Sequence, residues 1–189
     1  MTFRVHPTPI DGPLGMPVPR DTHGAAALLE AIVPAEGLET QRERLAAPGT
    51  LVVTTGQQPG LFTGPLYTVH KALSAAALAR QLEHRWGRPV VPVFWVAGDD
   101  HDFVEGSEAT WTGTDGEPRT VRLRERPAEA PLTPLAREPV GEEAGLLLDQ
   151  LEADLPPSDF RPDTMAWLRR HYTADATLAG AFGGALAEL

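Results

Sequence analysis

Between Leu51 and Ala97 the chain spells out one supersecondary unit, and that unit restricts the fold more than any other part of the sequence. Leu51-Val52-Val53-Thr54-Thr55 is a short run rich in β-branched residues, the pattern of a buried strand. A glycine-rich stretch from Gly56 to Gly64 follows. Pro65 stands where a first-turn proline belongs, a helical pattern runs to about Trp86, and Gly87 supplies its stop. Val90-Val91-Pro92-Val93-Phe94-Trp95-Val96-Ala97 is a second, almost wholly apolar strand. Two such strands joined by a long helix predict a right-handed βαβ crossover in a parallel sheet buried on both faces. The expected class is therefore α/β. Pro92 is the discordant residue, because proline cannot donate to a sheet ladder.

The flanking sequence is organised differently. Residues 1–23 predict an extended arm, broken by Pro7, Pro9, Pro13, Pro17 and Pro19, and helical patterns follow at Gly24–Val33 and Leu38–Ala46. Beyond Glu108, Thr110–Thr112 and Thr120–Leu123 flank Asp115-Gly116, a hairpin signal. The proline-punctuated stretch Arg126–Val140 predicts a linker, followed by helices at Glu142–Leu151, Asp163–His171 and Asp175–Leu189. The last has a small-residue face (Ala176, Ala179, Gly180, Gly183, Gly184) that expects close packing, and it reaches Leu189 without a stop signal, as in a piece of a longer protein.

Composition narrows the function. The formal net charge of −10 argues against a nucleic-acid binder, which needs a basic stripe to neutralise phosphates. No run of eighteen apolar residues predicts a membrane helix, and no apolar leader segment is visible. With no cysteine, neither disulfides nor a thiol nucleophile can form within this chain. A cytoplasmic enzyme or binding protein fits this balance.

Lys71 is the only lysine among sixteen basic residues. It closes the segment that holds Gly56, Gln57, Gln58, Thr63, Gly64, Tyr67 and His70. Lysine is a compact ammonium on a flexible stem, whereas arginine is a fixed planar fork, so a lone lysine marks a position that arginine does not serve. At about 100° per residue, Tyr67, His70, Lys71 and Ser74 share a polar arc beside an apolar stripe of Leu66, Val69, Leu73 and Ala77. His70 and Lys71 can lean back toward the glycine-rich loop, and a helix N-terminus favours anions. The group suits phosphate binding or stabilisation of developing negative charge. Neither the Walker nor the Rossmann glycine spacing is present.

A second polar loop, Gly98-Asp99-Asp100-His101-Asp102, follows the second strand. Ligands of open parallel sheets bind beyond the carboxyl ends of the strands, so both loops are expected at one edge. Three carboxylates and an imidazole in four residues can hold an ammonium, bind a divalent cation or exchange protons. A zinc site would need further ligands, and the remaining histidines offer no partner spacing, so metal is the weaker reading and no metal ligand is assigned.

TTGQQPGLFTGPLYTVHK and PVFWVAGDDHDFVE resemble the signature of the bacillithiol-biosynthesis cysteine ligases (BshC), in which TGQQxGxFTGPLYTxHK precedes a helix and PVFWxAxEDHDxxE follows the next strand. One departure is Asp99, where that pattern has glutamate. The resemblance covers only the N-terminal part of such proteins. It implies a Rossmann-like core related to class I aminoacyl-tRNA synthetases, with inserted connective subdomains and a coiled-coil dimerisation arm. On that basis residues 1–108 form an arm and the first half of the core, 109–172 an inserted hairpin and helical subdomain, and 173–189 the start of a helix returning to the core. The implied activity joins L-cysteine to the amine of glucosaminyl-malate. ATP, with Mg as its only expected metal companion, would activate the carboxylate in a homodimer of the full-length protein. His70, Lys71, Asp100 and His101 would then be catalytic. Gly56, Gln57, Gln58, Thr63 and Gly64 would hold the nucleotide, and Tyr67, Asp99 and Asp102 the substrate. Two other readings remain open: a non-catalytic nucleotide or sugar-phosphate-binding fragment, and a metal-dependent hydrolase using Asp100, His101 and Asp102.

Overall fold

The structure, a computed structural model, describes residues 15–16, 29–32, 38–127 and 129–189. Most of the arm expected at 1–23 and of the helix expected at Gly24–Val33 lies outside these residues; within the latter, 29–31 are helical. Helix α1 (Glu39–Ala46) leads into strand β1 (Leu51–Gln57) and a 3-10 turn (Leu61–Thr63). Helix α2 (Leu66–Trp86), strand β2 (Val90–Val96) and a one-turn helix α3 (Phe103–Gly106) complete the first half. The hairpin β3 (Glu108–Thr112) and β4 (Pro118–Arg122) precedes helices α4 (Glu143–Asp154), α5 (Arg161–His171) and α6 (Leu178–Ala187).

The expected βαβ unit is present. β1 and β2 run parallel, with Leu51 opposite Val90 and Gln57 opposite Val96. The first strand is longer than its β-branched run suggests, because Gly56 and Gln57 stay in register with Trp95 and Val96. A methyl group on Gly56 would lie 2.7 Å from the Trp95 carbonyl oxygen, so only glycine permits this pairing. Pro92 lies inside β2 opposite Val53. Among the described residues β2 pairs on one side only, which makes it an edge strand where proline is tolerated.

α2 ends as expected, on Gly87 in the left-handed conformation (φ 60°). Its start differs: Pro65 is the N-cap in extended conformation, and Leu66 is the first helical residue. The buried side of the helix is also not the expected leucine stripe. Thr68, Ala75, Ala79 and Leu82 are buried, whereas Leu66 is 70% exposed and Leu73 44% exposed. Small residues form the seam because they let the helix settle close to the sheet, where Ala79 and Leu82 meet Leu51, Val53 and Val90.

The larger core lies toward the carboxyl ends of the strands. Leu61 of the 3-10 turn and Phe103 of α3 share it with Leu135, Leu148, Leu168 and Leu178. The stretch expected to be a linker, 126–140, contributes two of the most buried side chains, Leu135 and Val140. Its described residues form no regular helix, yet it is a strap rather than a tether. The amides of Leu135 and Ala136 donate to the carbonyls of Asp100 and Gly98, and the carbonyls of Leu135 and Glu138 accept from Ala179 and Leu178. Glu138 is buried and pairs with Arg124 (2.7 Å) and Arg126 (3.6 Å). Both guanidinium groups stack over the Phe103 ring, at 5.0 and 5.3 Å.

The last helix begins three residues later than its apolar pattern implies. The Thr177 hydroxyl accepts from the Gly180 amide at 3.1 Å and fixes the start. The expected close packing of its small face is present at two positions. A methyl on Gly183 would touch Val96, and one on Gly184 would lie 2.8 Å from the His171 ring. Phe182 meets Phe94 of β2 edge-on at 6.1 Å.

Candidate functional site

The two polar loops meet. The Gln57 carbonyl accepts from the Ala97 amide at 3.1 Å, immediately past the paired ends of β1 and β2. Loop one also backs onto α3, since a methyl on Gly106 would lie 3.2 Å from the Pro59 carbonyl oxygen. This places the glycine loop, the N-terminus of α2 and the Asp99–Asp102 segment at the carboxyl edge of the sheet, where parallel α/β proteins bind ligands.

Lys71 lies in the second turn of α2 and reaches back to the strand. Its ammonium donates to the Gly56 carbonyl at 3.1 Å and to Gln57 Oε1 at 2.9 Å, and it sits 5.2 Å from the centre of the Tyr67 ring. The Gln57 amide nitrogen donates to Gln58 Oε1 (3.2 Å) and to the Tyr67 hydroxyl (3.1 Å). Lys71, Gln57, Gln58 and Tyr67 are thus one network, which ties the end of β1 to helix residues ten and fourteen positions later. An ammonium has three donors, so one stays available beyond these two bonds. His70 is exposed on the adjoining side of the helix and makes no side-chain hydrogen bond among the described residues. Ser74 is likewise exposed.

The glycine loop is tightly specified. Gly60 and Gly64 approach so closely that a methyl on Gly60 would lie 2.8 Å from the Gly64 Cα. Gly64 has φ 67°, and two non-glycine residues before it also have positive φ, Phe62 at 52° and Thr63 at 73°. For residues with a Cβ this conformation costs on the order of 1 kcal/mol each. Burial of Leu61 and Thr63 helps to offset that cost.

A residue that the sequence did not single out holds this turn. The Tyr172 hydroxyl accepts from the Thr63 amide (2.7 Å) and donates to the Gly60 carbonyl (2.9 Å). Burial pushes the phenol well above its ordinary range, against a smaller opposing effect of the Thr63 amide. No local motif marks Tyr172, because its partners lie 109 and 112 residues earlier. An aromatic residue at the C-terminal end of a largely polar helix was the available signal, and that pattern more often means core.

Loop two is a capped turn. Asp102 Oδ1 accepts from the Glu105 amide at 3.0 Å and caps α3, and Asp100 Oδ1 accepts from the Asp102 amide at 2.9 Å. The Asp99, His101 and Asp102 side chains are exposed. The loop brings its acids together along the chain without converging them on one point. Among the described residues no group of three histidine or carboxylate side chains is placed to hold a metal ion.

A nucleotide would meet a suitable donor set at this edge. α2 has no side-chain cap, and its first amides, those of Leu66 and Tyr67, make no backbone hydrogen bond among the described residues. With the third Lys71 donor they fit an anionic group. A separate shallow cleft of about 350 Å³ lies at the other end of the unit, between α1, α2 and the start of β2, lined by Gln41, Arg44, Arg80 and His84. It sits at the amino ends of the strands, away from both loops, and is a poorer candidate on that ground.

A parallel strand–turn–helix–strand unit with its polar loops at the carboxyl edge is a Rossmann-like α/β arrangement. The family model for the N-terminal Rossmann-like domain of the bacillithiol biosynthesis protein BshC matches residues 29–189, and the chain belongs to that family. Among curated relatives, proteins of Prosthecochloris aestuarii and Salinibacter ruber are each 37% identical, over 148 and 160 residues. Each alignment covers 78% of this chain and 26% of the relative. A protein of Heliobacterium modesticaldum is 42% identical over 131 residues, covering 68% of this chain and 23% of its own length. All three carry the name "Putative cysteine ligase BshC". The chain spans about a quarter of the length of these relatives.

Proposed function

We propose that this chain is the nucleotide-handling part of a ligase that adds L-cysteine to the amine of glucosaminyl-malate in bacillithiol biosynthesis. One observation carries the reading furthest: the loop that ends in Lys71 and the Asp99–Asp102 loop share the carboxyl edge of one parallel pair, joined by the Gln57–Ala97 hydrogen bond. ATP, when bound, would supply the activation of the cysteine carboxylate that amide formation requires. The free amides at the start of α2 and the third Lys71 donor hold phosphate oxygens, and His70 stands on the adjoining turn to contribute a second donor. Gln57, Gln58 and Tyr67 line the path between phosphate and strand end.

Amide formation needs the amino sugar nitrogen to lose a proton as it attacks. His101 is exposed on loop two, and an imidazole is the side chain suited to accept that proton near neutral pH. Asp100 fixes the loop from which His101 projects, through its bond to the Asp102 amide. Asp99 and Asp102 face solvent and offer carboxylates to an incoming ammonium. The reading places the protein in the cytoplasm and its activity in a longer, dimeric polypeptide.

Calorimetric titration of the 189-residue chain with ATP tests the nucleotide assignment. Measurable binding that Lys71→Ala weakens at least tenfold, with Arg80→Ala in the distant cleft unchanged, is the expected result. Equal binding by wild type and Lys71→Ala, or loss confined to the Arg80 variant, would remove the assignment.

A further inference from the structure

Two consecutive non-glycine residues with positive φ are unusual in a short turn, and something outside the turn must keep them there. Within the turn the only backbone bond is Gly64 N–H to the Leu61 carbonyl, at 3.0 Å. The other fixed points come from Tyr172, which follows α5 and whose own amide donates to the Leu168 carbonyl. Its hydroxyl engages two backbone groups of the turn, the Thr63 N–H and the Gly60 C=O. Its ring meets Phe62 edge-on, with centroids 5.3 Å apart and planes at 78°. The residue is 3% exposed, so it touches no ligand.

We infer that Tyr172 is a positioning residue for the anion site: its hydroxyl selects the strained form of the Gly60–Gly64 turn and thereby sets the direction in which the first amides of α2 point. The inference rests on the reading of that loop as the phosphate-binding element. Gly60 and Gly64 approach too closely for a Cβ on Gly60, and this contact couples the two ends of the turn. Gly64 lies two residues before the start of α2. A turn released to ordinary negative φ would rotate Gly64 and the helix start away from their present geometry. The phenol thus acts on ligand affinity without contact, from the residue that follows α5.

The experiment uses three variants of the 189-residue chain: Tyr172→Phe, Thr63→Gly and the pair. Tyr172→Phe keeps the ring and its packing on Phe62 but loses both hydrogen bonds. Hydrogen exchange should rise about tenfold across residues 58–64 while the α4 and α5 amides remain protected, and ATP affinity should fall about tenfold. Thr63→Gly on that background should recover most of the affinity, because glycine adopts φ near 73° without strain and no longer needs the phenol. Unchanged loop exchange in Tyr172→Phe, or no recovery in the double variant, would overturn the inference. Absence of ATP binding by the unsubstituted chain would remove the phosphate reading and with it the effect on affinity, whereas the exchange data would still decide whether Tyr172 orders the turn. Should Tyr172→Phe fail to fold, the unsubstituted chain decides: the Thr63 amide must exchange as slowly as core helix amides, and exchange at the rate of exposed loops would overturn the inference.

Discussion

Lys71 Nζ donates to the carbonyl oxygen of Gly56, fifteen residues earlier, and in doing so pins the second turn of α2 to the last residues of β1. The lone lysine is therefore an anchor as well as a candidate ligand group. Lys71→Met should destabilise the fold by about 1.5 kcal/mol, the net worth of a part-buried hydrogen bond from a charged group, and lower the melting temperature by several degrees. Lys71→Arg should not restore ATP affinity, since a planar fork cannot reproduce a point donor shared between Gly56 and Gln57. Thermal denaturation and calorimetry on the same samples separate the two roles.

Asp102 and the Glu105 amide make a cap rather than a catalytic pair. Asp102→Ala should cost about 1 kcal/mol in urea denaturation, and Asp102→Asn well under half of that, because asparagine caps nearly as well without charge. If the charge itself mattered to stability, the asparagine variant would fall with the alanine one.

Glu138 is a buried acid facing Arg124 and Arg126. Glu138→Gln leaves both guanidinium groups against Phe103 with no countercharge. Both arginines retain some solvent contact, so the expected loss is roughly 2 kcal/mol, below that for a fully buried pair. Chemical denaturation provides the value, and a loss below about 0.5 kcal/mol would mean that solvent already screens the pair.

Alkaline pH should act through Tyr172. Its folded pKa is raised by burial, while the unfolded phenol titrates near pH 10. The folded state therefore holds this proton more tightly, so the stability it contributes is complete below about pH 10 and declines as pH rises beyond that value. Tyr172→Phe should flatten the fall in stability above pH 10, as read from urea midpoints at a series of pH values. A parallel decline in both proteins would place the alkaline sensitivity elsewhere.

The βαβ unit, the hairpin and the left-handed stop at Gly87 were legible because each depends on short-range patterning. The placement of both loops at one edge followed from the rule for parallel sheets. What escaped the sequence depends on distant partners. The strap 126–140 resembles a linker, since its prolines and charges are local signals whereas Leu135 and Val140 are buried by α3, α6 and loop two. The seam of α2 was misassigned for a related reason: leucines dominate a hydrophobicity pattern, but close approach to a sheet selects Ala75 and Ala79. Tyr172 was invisible because hydrogen bonding across more than a hundred residues leaves no periodic trace.

The strap also decides what the acidic loop can offer. The peptide oxygens of Gly98, Asp100, His101 and Asp102 already accept from Ala136, Leu135, Phe103 and Gly106. Hard cations bound in loops draw several such oxygens into their coordination sphere. Here four of the five loop carbonyls are already engaged in folding, and the Asp99, His101 and Asp102 side chains are what the loop exposes. The loop's outward face is therefore made of acceptors on flexible stems, while its backbone is held in place by the strap and by α3.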